Sequence, residues 1–190
     1  MNHRILTRTA VALGAATLAL GVAPAQAAPA APAAHDLAVS YHSSLLKAPG
    51  AAGTASIDVT NVGSERYFQE YPLTTFVVKV STVSGPRGVD RVITPRTFNG
   101  AHVRDLGFDP ATSTRSFEIS LSNPVATGQR VHVADLSFAD GLTREGRLVQ
   151  HLVTTQTGRL ADDRVNANDQ AVDSVGHTVS GVGTSLPGLF

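Results

Sequence analysis

The sequence predicts an all-β fold, an antiparallel β-sandwich of about seven to nine strands. Three observations carry that expectation. Apolar and polar residues alternate with a period of two through much of the chain, as in strands with one buried and one wet face. Breaks rich in Gly, Pro, Asn or Asp separate these stretches at intervals of roughly 8 to 15 residues, the rhythm of a sandwich. No window sustains a helical period, which argues against a parallel sheet, whose crossovers need about a dozen residues each.

In chain order, Leu37, Val39 and Tyr41 alternate with Ala38 and Ser40 and form the first predicted strand. After the turn-rich "KAPGAAG" (Lys47 to Gly53), Ala55, Ile57 and Val59 face one way and Ser56, Asp58 and Thr60 the other, and Asn61 and Gly63 end the strand. Gly63 is expected to supply a positive φ, and Asn61 to bond its own backbone. The irregular "ERYFQEYP" leads into Thr74–Val83, rich in β-branched residues and the most buried-looking strand. "SGPRG" turns the chain into a shorter strand at Val89–Thr94, followed by a weaker one at His102–Phe108. Ser116–Ser122 alternates through Phe117, Ile119 and Leu121. Arg130–Phe138 and Arg147–Gln156 are predicted to form a hairpin across "ADGLTREG", and a short last strand is expected within Gln170–Val175.

The N-terminus carries a different signal. Arg4 and Arg8 precede an apolar run, Ala10 to Val22, and Ala25-Gln26-Ala27 is a small-x-small cleavage site, so residues 1–27 read as a secretory signal peptide. The two arginines are separated, which favours the general secretory route. Residues 28–35 then form a Pro/Ala linker, 36–175 the sandwich and 176–190 a Gly/Ser-rich tail. No later segment has the roughly 20 apolar residues of a transmembrane helix, and the expected destination is extracellular. There is no cysteine, so stability must come from the core, which 163 residues can supply as one domain. Without the signal the chain holds 13 basic and 15 acidic residues and no basic run, which argues against nucleic acid or an anionic membrane as partner. Its preference for Arg over Lys, with abundant Ala, Gly and Val, is the composition of a GC-rich bacterial genome such as an actinobacterium's.

Two stretches resemble a known family. "ASIDVTNVGS" is similar to the strand-to-turn element of bacterial secreted immunoglobulin-like sandwich domains, the CARDB-like modules and related conserved-repeat surface domains. "LADDRVNANDQAVDS" (Leu160 to Ser174) is similar to the Asp/Asn-rich loop that precedes their last strand, and "NPVATGQRVHV" fits a loop–Gly–strand step common in such sandwiches. The resemblance covers roughly Asp36 to Val175. It implies an immunoglobulin-like fold and an extracellular, non-catalytic, adhesive or spacer role, with a protein or cell-envelope partner.

Candidate chemistry is sparse. With an even-numbered loop the expected hairpin would bring His132 and His151 to one face, a start for zinc that lacks a third ligand, and an odd-length loop would separate them. Asp162, Asp163 and Asp169 offer hard oxygens suited to calcium, although the spacing is not that of a twelve-residue calcium loop. No other cofactor is expected. The chain has no cysteine nucleophile and no Gly-x-Ser-x-Gly elbow, and an enzyme is not expected. Tyr67 and Tyr71 would share a face in an extended segment and could stack on sugar rings, which makes glycan binding the alternative to a protein or envelope partner. The competing expectation is that these aromatics close one end of the core.

Overall fold

The computed structural model describes residues 33–43, 53–71, 73–139 and 141–178. The signal-peptide assignment, most of the linker and tail, and nearly all of the 47–53 turn lie outside these residues. The described chain is all-β: β1 (Leu37–Ser43), β2 (Gly53–Asn61), β3 (Thr74–Ser84), β4 (Ile93–Thr97), β5 (Ala101–Asp109), β6 (Thr114–Leu121), β7 (Arg130–Phe138), β8 (Leu142–Thr143), β9 (Gly146–Arg147), β10 (Val149–Gly158) and β11 (Val172–Asp173), then one helical turn, α1 (Ser174–His177). Eight strands have five residues or more, within the predicted range.

All pairings between strands are antiparallel. A four-stranded sheet runs β1-β2-β7-β4, and a five-stranded sheet runs β11-β10-β3-β6-β5. The inner faces meet in a single core, with Leu37, Val39, Ile57, Val59, Val133 and Leu136 from one sheet and Phe76, Val78, Phe117, Ile119 and Leu152 from the other. This is the antiparallel sandwich that the alternation predicts, in the immunoglobulin-like form that the resemblance implies. Tyr41 ties the layers: its hydroxyl donates to Thr154 Oγ1 at 2.7 Å and lies 2.9 Å from the Val172 carbonyl. Burial raises the pKa of that hydroxyl, so it stays protonated.

Three expectations are corrected. The strand predicted at Val89–Thr94 begins only at Ile93, and Val92 is exposed. It is an edge strand paired to β7 alone, and this is where Pro95, which has no N–H to donate, can sit. The hairpin of 130–138 with 147–156 does not form. β2 and β4 occupy both sides of β7, and the connection after Phe138, carrying the small β8–β9 ribbon, leads instead to the other sheet. Gly63 is not among the residues with positive φ. It is needed for close approach: a Cβ there would lie 2.6 Å from the Ala34 carbonyl oxygen and 2.9 Å from the Asp36 nitrogen.

Asn61 does bond its own backbone, accepting from the Gly63 N–H at 3.0 Å, but it does more. Its amide donates to the carbonyls of Glu65 and Val125 at 2.7 and 2.9 Å, from a side chain with no solvent exposure. The pair therefore holds the chain entering β1 against the turn leaving β2. Ser64 and Glu65 N–H groups complete the seam on the carbonyls of Ala33 and Ala34.

Candidate functional site

The densest set of chemically capable side chains lies on the outer face of the four-stranded sheet. A bulge creates it. Along β2 and β7 the register runs Ile57↔Ala134 and then Asp58↔His132, so Val133 is an extra residue in β7. In a regular strand residues three apart lie on opposite faces; across the bulge His132 and Asp135 lie on the same one. His132 Nε2 is 3.1 Å from Asp135 Oδ1, and its Nδ1 is 3.1 Å from Asp58 Oδ1. Both contacts are hydrogen bonds at once only if the ring carries two protons.

Asp58 is the hub. It points outward from β2, yet its side chain is only 7% exposed, because β1 and β7 roof it. His42 Nδ1 lies 2.6 Å from its Oδ2, and Arg130 Nη2 lies 2.9 Å from the same oxygen and 2.8 Å from the His42 ring. Next along the face, Ser56 donates to Asp135 Oδ1 at 2.6 Å. The turn after β4 closes the far side. Phe98 N–H donates to the Val133 carbonyl and the Asn99 amide to the His132 carbonyl, which clips Phe98 over the bulge with its ring centroid 4.4 Å from that of His132. Asn99 and Gly100 reach this geometry through positive φ. The Arg96 guanidinium lies over the Phe98 ring, 5.1 Å from its centroid.

The result is a pre-ordered, half-open face. The carboxylates lie low, and the N–H bearing groups lie above them: His42, Arg130 and His132 are 37%, 41% and 31% exposed, and Arg96 is exposed. It can donate hydrogen bonds and hold charge. It lacks the geometry of an activated nucleophile, since Ser56 gives its proton to Asp135 and both His132 nitrogens face carboxylates.

The residues singled out in the sequence go elsewhere. Tyr67 is buried and bridged to Val125, whereas Tyr71 is 91% exposed, so the two share no platform; Tyr67 packs into the core end. The Tyr67 hydroxyl donates to Asp163 Oδ2 at 2.7 Å and accepts from Gln156 Nε2 at 2.8 Å and the Leu160 N–H at 3.0 Å. Burial holds its pKa above the ordinary phenol range.

Asp162, Asp163 and Asp169 each have separate surroundings. Asp162 lies on the surface 2.7 Å from His35 Nδ1, Asp163 meets Tyr67, and Asp169, with no solvent exposure, has Arg159 Nη2 3.0 Å from its Oδ2. Burial pushes the Asp169 carboxyl up to about 6 against the pull of Arg159, with Asp163 and Asp36 adding like charge. Burial also raises Asp163. No group of three or more His, Cys, Asp or Glu able to hold a metal ion occurs among the described residues. His132 and His151 sit in different sheets, and His151 faces Asp173 at 4.0 Å. An open cavity of about 340 Å³ is lined by Asp90, Arg91, Val92, Ile93 and Arg115, where Asp90 and Arg115 neutralise each other at 2.5 Å.

No family model matches the chain, and no curated protein does. Solved structures do. A CBM3 domain of Hungateiclostridium clariflavum is similar at 10% identity and a TM-score of 0.43, over 68% of this chain and 98% of that one. The CBM3b of the scaffoldin ScaA of Acetivibrio cellulolyticus matches at 12% identity and 0.40, over 67% and 95%. An uncharacterized immunoglobulin-like protein of Nocardia farcinica matches at 13% identity and 0.34, over 80% and 91%. Among the described residues no helix is long and apolar enough to cross a membrane.

Proposed function

We propose that this chain is a non-catalytic, glycan-binding β-sandwich module working outside the cell, with the outer face of the four-stranded sheet as its binding face. The supporting observation is the network around Asp58. Polar side chains from β1, β2 and β7 are already held in one arrangement by each other, half-exposed, beside the Phe98 ring. Such a face loses little side-chain freedom when a hydroxyl-rich ligand replaces its water. The extracellular setting rests on the signal-peptide reading of residues 1–27.

A glycan array with the purified protein tests this. Binding to at least one glycan is expected, weakened about tenfold or more by Phe98→Ala, a loss of about 1.4 kcal/mol. No binding, or binding that Phe98→Ala leaves unchanged, would sink the proposal.

A second reading has its own observation. Tyr71 is 91% exposed and Phe68 is 36% exposed in the loop before β3, with the Arg66 guanidinium 5.5 Å over the Phe68 ring. Aromatic and Arg side chains together are typical of protein-binding hot spots. Glycan binding abolished by Tyr71→Ala but untouched by Phe98→Ala would move the site to this loop, and protein capture lost in Tyr71→Ala would favour a protein partner.

A further inference from the structure

The loop between β10 and β11 lies at the end of the sandwich and gathers side-chain oxygens from three parts of the chain. Gln156, near the end of β10, donates its backbone N–H to the Asp169 carbonyl at 2.8 Å and holds its side-chain Nε2 3.2 Å from Asp163 Oδ2. Arg159 Nη2 joins the same group, 3.0 Å from Asp169 Oδ2 and 3.1 Å from the Gln156 carbonyl. Asn168, next to Asp169 in the chain, donates its side-chain amide to Asp36 Oδ1 at 2.9 Å, and its carbonyl accepts from the Val39 N–H at 3.0 Å. The end of β10, the loop and the chain entering β1 thus meet at one place.

Five oxygens of this group meet no aligned donor. They are Asp163 Oδ1, both carboxylate oxygens of Asp169, Gln156 Oε1 and Asn168 Oδ1, all covered from solvent. Asp163 and Gln156 are each 2% exposed and Asp169 not at all. Buried acceptors are normally matched, so an excess of this size asks for something positive. Arg159 supplies charge, but its Nη1 donates to Asn166 Oδ1 at 2.5 Å and its Nη2 to the Gln156 carbonyl, and one guanidinium stands against the three carboxylates of Asp36, Asp163 and Asp169. A water molecule donates to two acceptors at most. One calcium ion takes six to eight oxygens at once.

We infer that this group is a calcium site, with Gln156, Asp163, Asn168 and Asp169 as its side-chain ligands and Asp36 as supporting negative charge. The donor set is two carboxylates and two amides, all hard oxygens, without the nitrogen or sulfur that zinc prefers. Only two of the four ligands are acids, so the site is not a cluster of three carboxylates. It also differs from the set expected from the sequence: Asp162 lies on the surface against His35, and Gln156 from β10 stands in its place.

Magnesium suits the place less well, because it demands a tight octahedron and keeps several of its waters, whereas these oxygens are covered by protein. Bound here, calcium ties the loop to β10 and to the chain entering β1, and its effect falls on the stability of that end of the fold. In the calcium-free chain the same oxygens favour protons instead. The site is remote from the proposed binding face and stands independently of the glycan-binding reading.

Calorimetric titration of the full purified chain with calcium chloride, after treatment with chelator and at constant ionic strength near neutral pH, tests this. One ion per chain is expected, with a Kd of about 10⁻⁴ to 10⁻³ M. At roughly ten times the Kd the melting temperature should rise by about 3–6 °C, and magnesium at the same concentration should raise it much less. Asp169→Asn should weaken calcium binding about tenfold or more. Asn168→Ala, at a half-buried loop position, should do the same and carries the test if Asp169→Asn does not fold. Asp162→Asn should bind like the parent. No binding by the parent at millimolar calcium would overturn the inference. So would binding that both ligand variants leave unchanged, which would mean an adventitious ion only, and so would equal stabilisation by magnesium.

Discussion

At the outer face of the four-stranded sheet, Asp58 and Asp135 are surrounded by donors; at the end of the sandwich, Asp163 and Asp169 share a few donors among a larger number of acceptor oxygens. The first pair accepts from His42, Ser56, Arg130 and His132. In the second group, Asp163 Oδ1, both Asp169 oxygens, Gln156 Oε1 and Asn168 Oδ1 have no aligned donor among the described residues, although Arg159 brings its charge to within 3.0 Å of Asp169. The same residue type is thus used in two ways. Where carboxylates are over-supplied with donors, the donor groups remain partly exposed. Where acceptors are in excess and buried, charge is costly, and the cluster favours protons.

The largest expected effect tests whether the closed cluster is architecture. Tyr67 fills that end of the core and its hydroxyl joins Asp163, Gln156 and Leu160, so Tyr67→Ala should destabilise the fold by about 3–5 kcal/mol in denaturant unfolding. Tyr71→Ala, at an exposed position, should stay within about 0.5 kcal/mol. Comparable losses in the two variants would mean that the two tyrosines are not divided between core and surface.

A smaller effect concerns pH. Asp169 moves from an ordinary 3.8 up to about 6 on folding, so the native chain holds its proton more tightly than the unfolded one. The stability this gives is complete below about pH 4 and is lost as pH rises through about 6, and Asp163 is shifted in the same direction. Asp105, Asp109 and Asp162 are shifted downward and act the other way, losing their contribution only as pH falls below the ordinary carboxylate range. Between pH 4.5 and 7.5 the parent should therefore lose roughly 2 kcal/mol that Asp169→Asn retains. Parallel stability curves for the two proteins over that range would remove the closed cluster's defining property.

Much of this architecture is legible in the sequence, and the reason is period two. Ile57 and Val59 face the core and Ser56 and Thr60 face out, as the alternation of "SIDVTNVGS" says, because each strand buries one face. The face network was not legible, for three physical reasons. Pairing of β7 with β2 is a long-range choice that local pattern does not encode, and the nearest partner in sequence was the wrong one. The bulge at Val133 breaks the very periodicity that reading relies on, placing His132 and Asp135 together. Asp58 is outward by pattern but covered by side chains from two neighbouring strands. The signal available was a carboxylate in mid-strand, where Asp is disfavoured unless it has work to do. Tyr67 and Tyr71 were separable only through burial, since spacing alone cannot say which of two aromatics turns inward.

The smallest expected effect bears on the open network. Arg96 lies on an edge strand, exposed, with its guanidinium over Phe98. An exposed stacking of this kind contributes roughly 0.5–1 kcal/mol at most, and part of that is offset by the side-chain freedom that stacking removes. Arg96→Ala should accordingly shift stability by no more than about 0.5 kcal/mol, within the range of ordinary surface substitutions. That near-silence carries the contrast, because a network maintained for folding would miss a member that is removed, whereas a side chain presented to solvent would not be missed. A loss above 1 kcal/mol in Arg96→Ala would make the outer face a structural network of the same kind as the cluster around Tyr67, with its donors committed to the fold and none to spare for a partner.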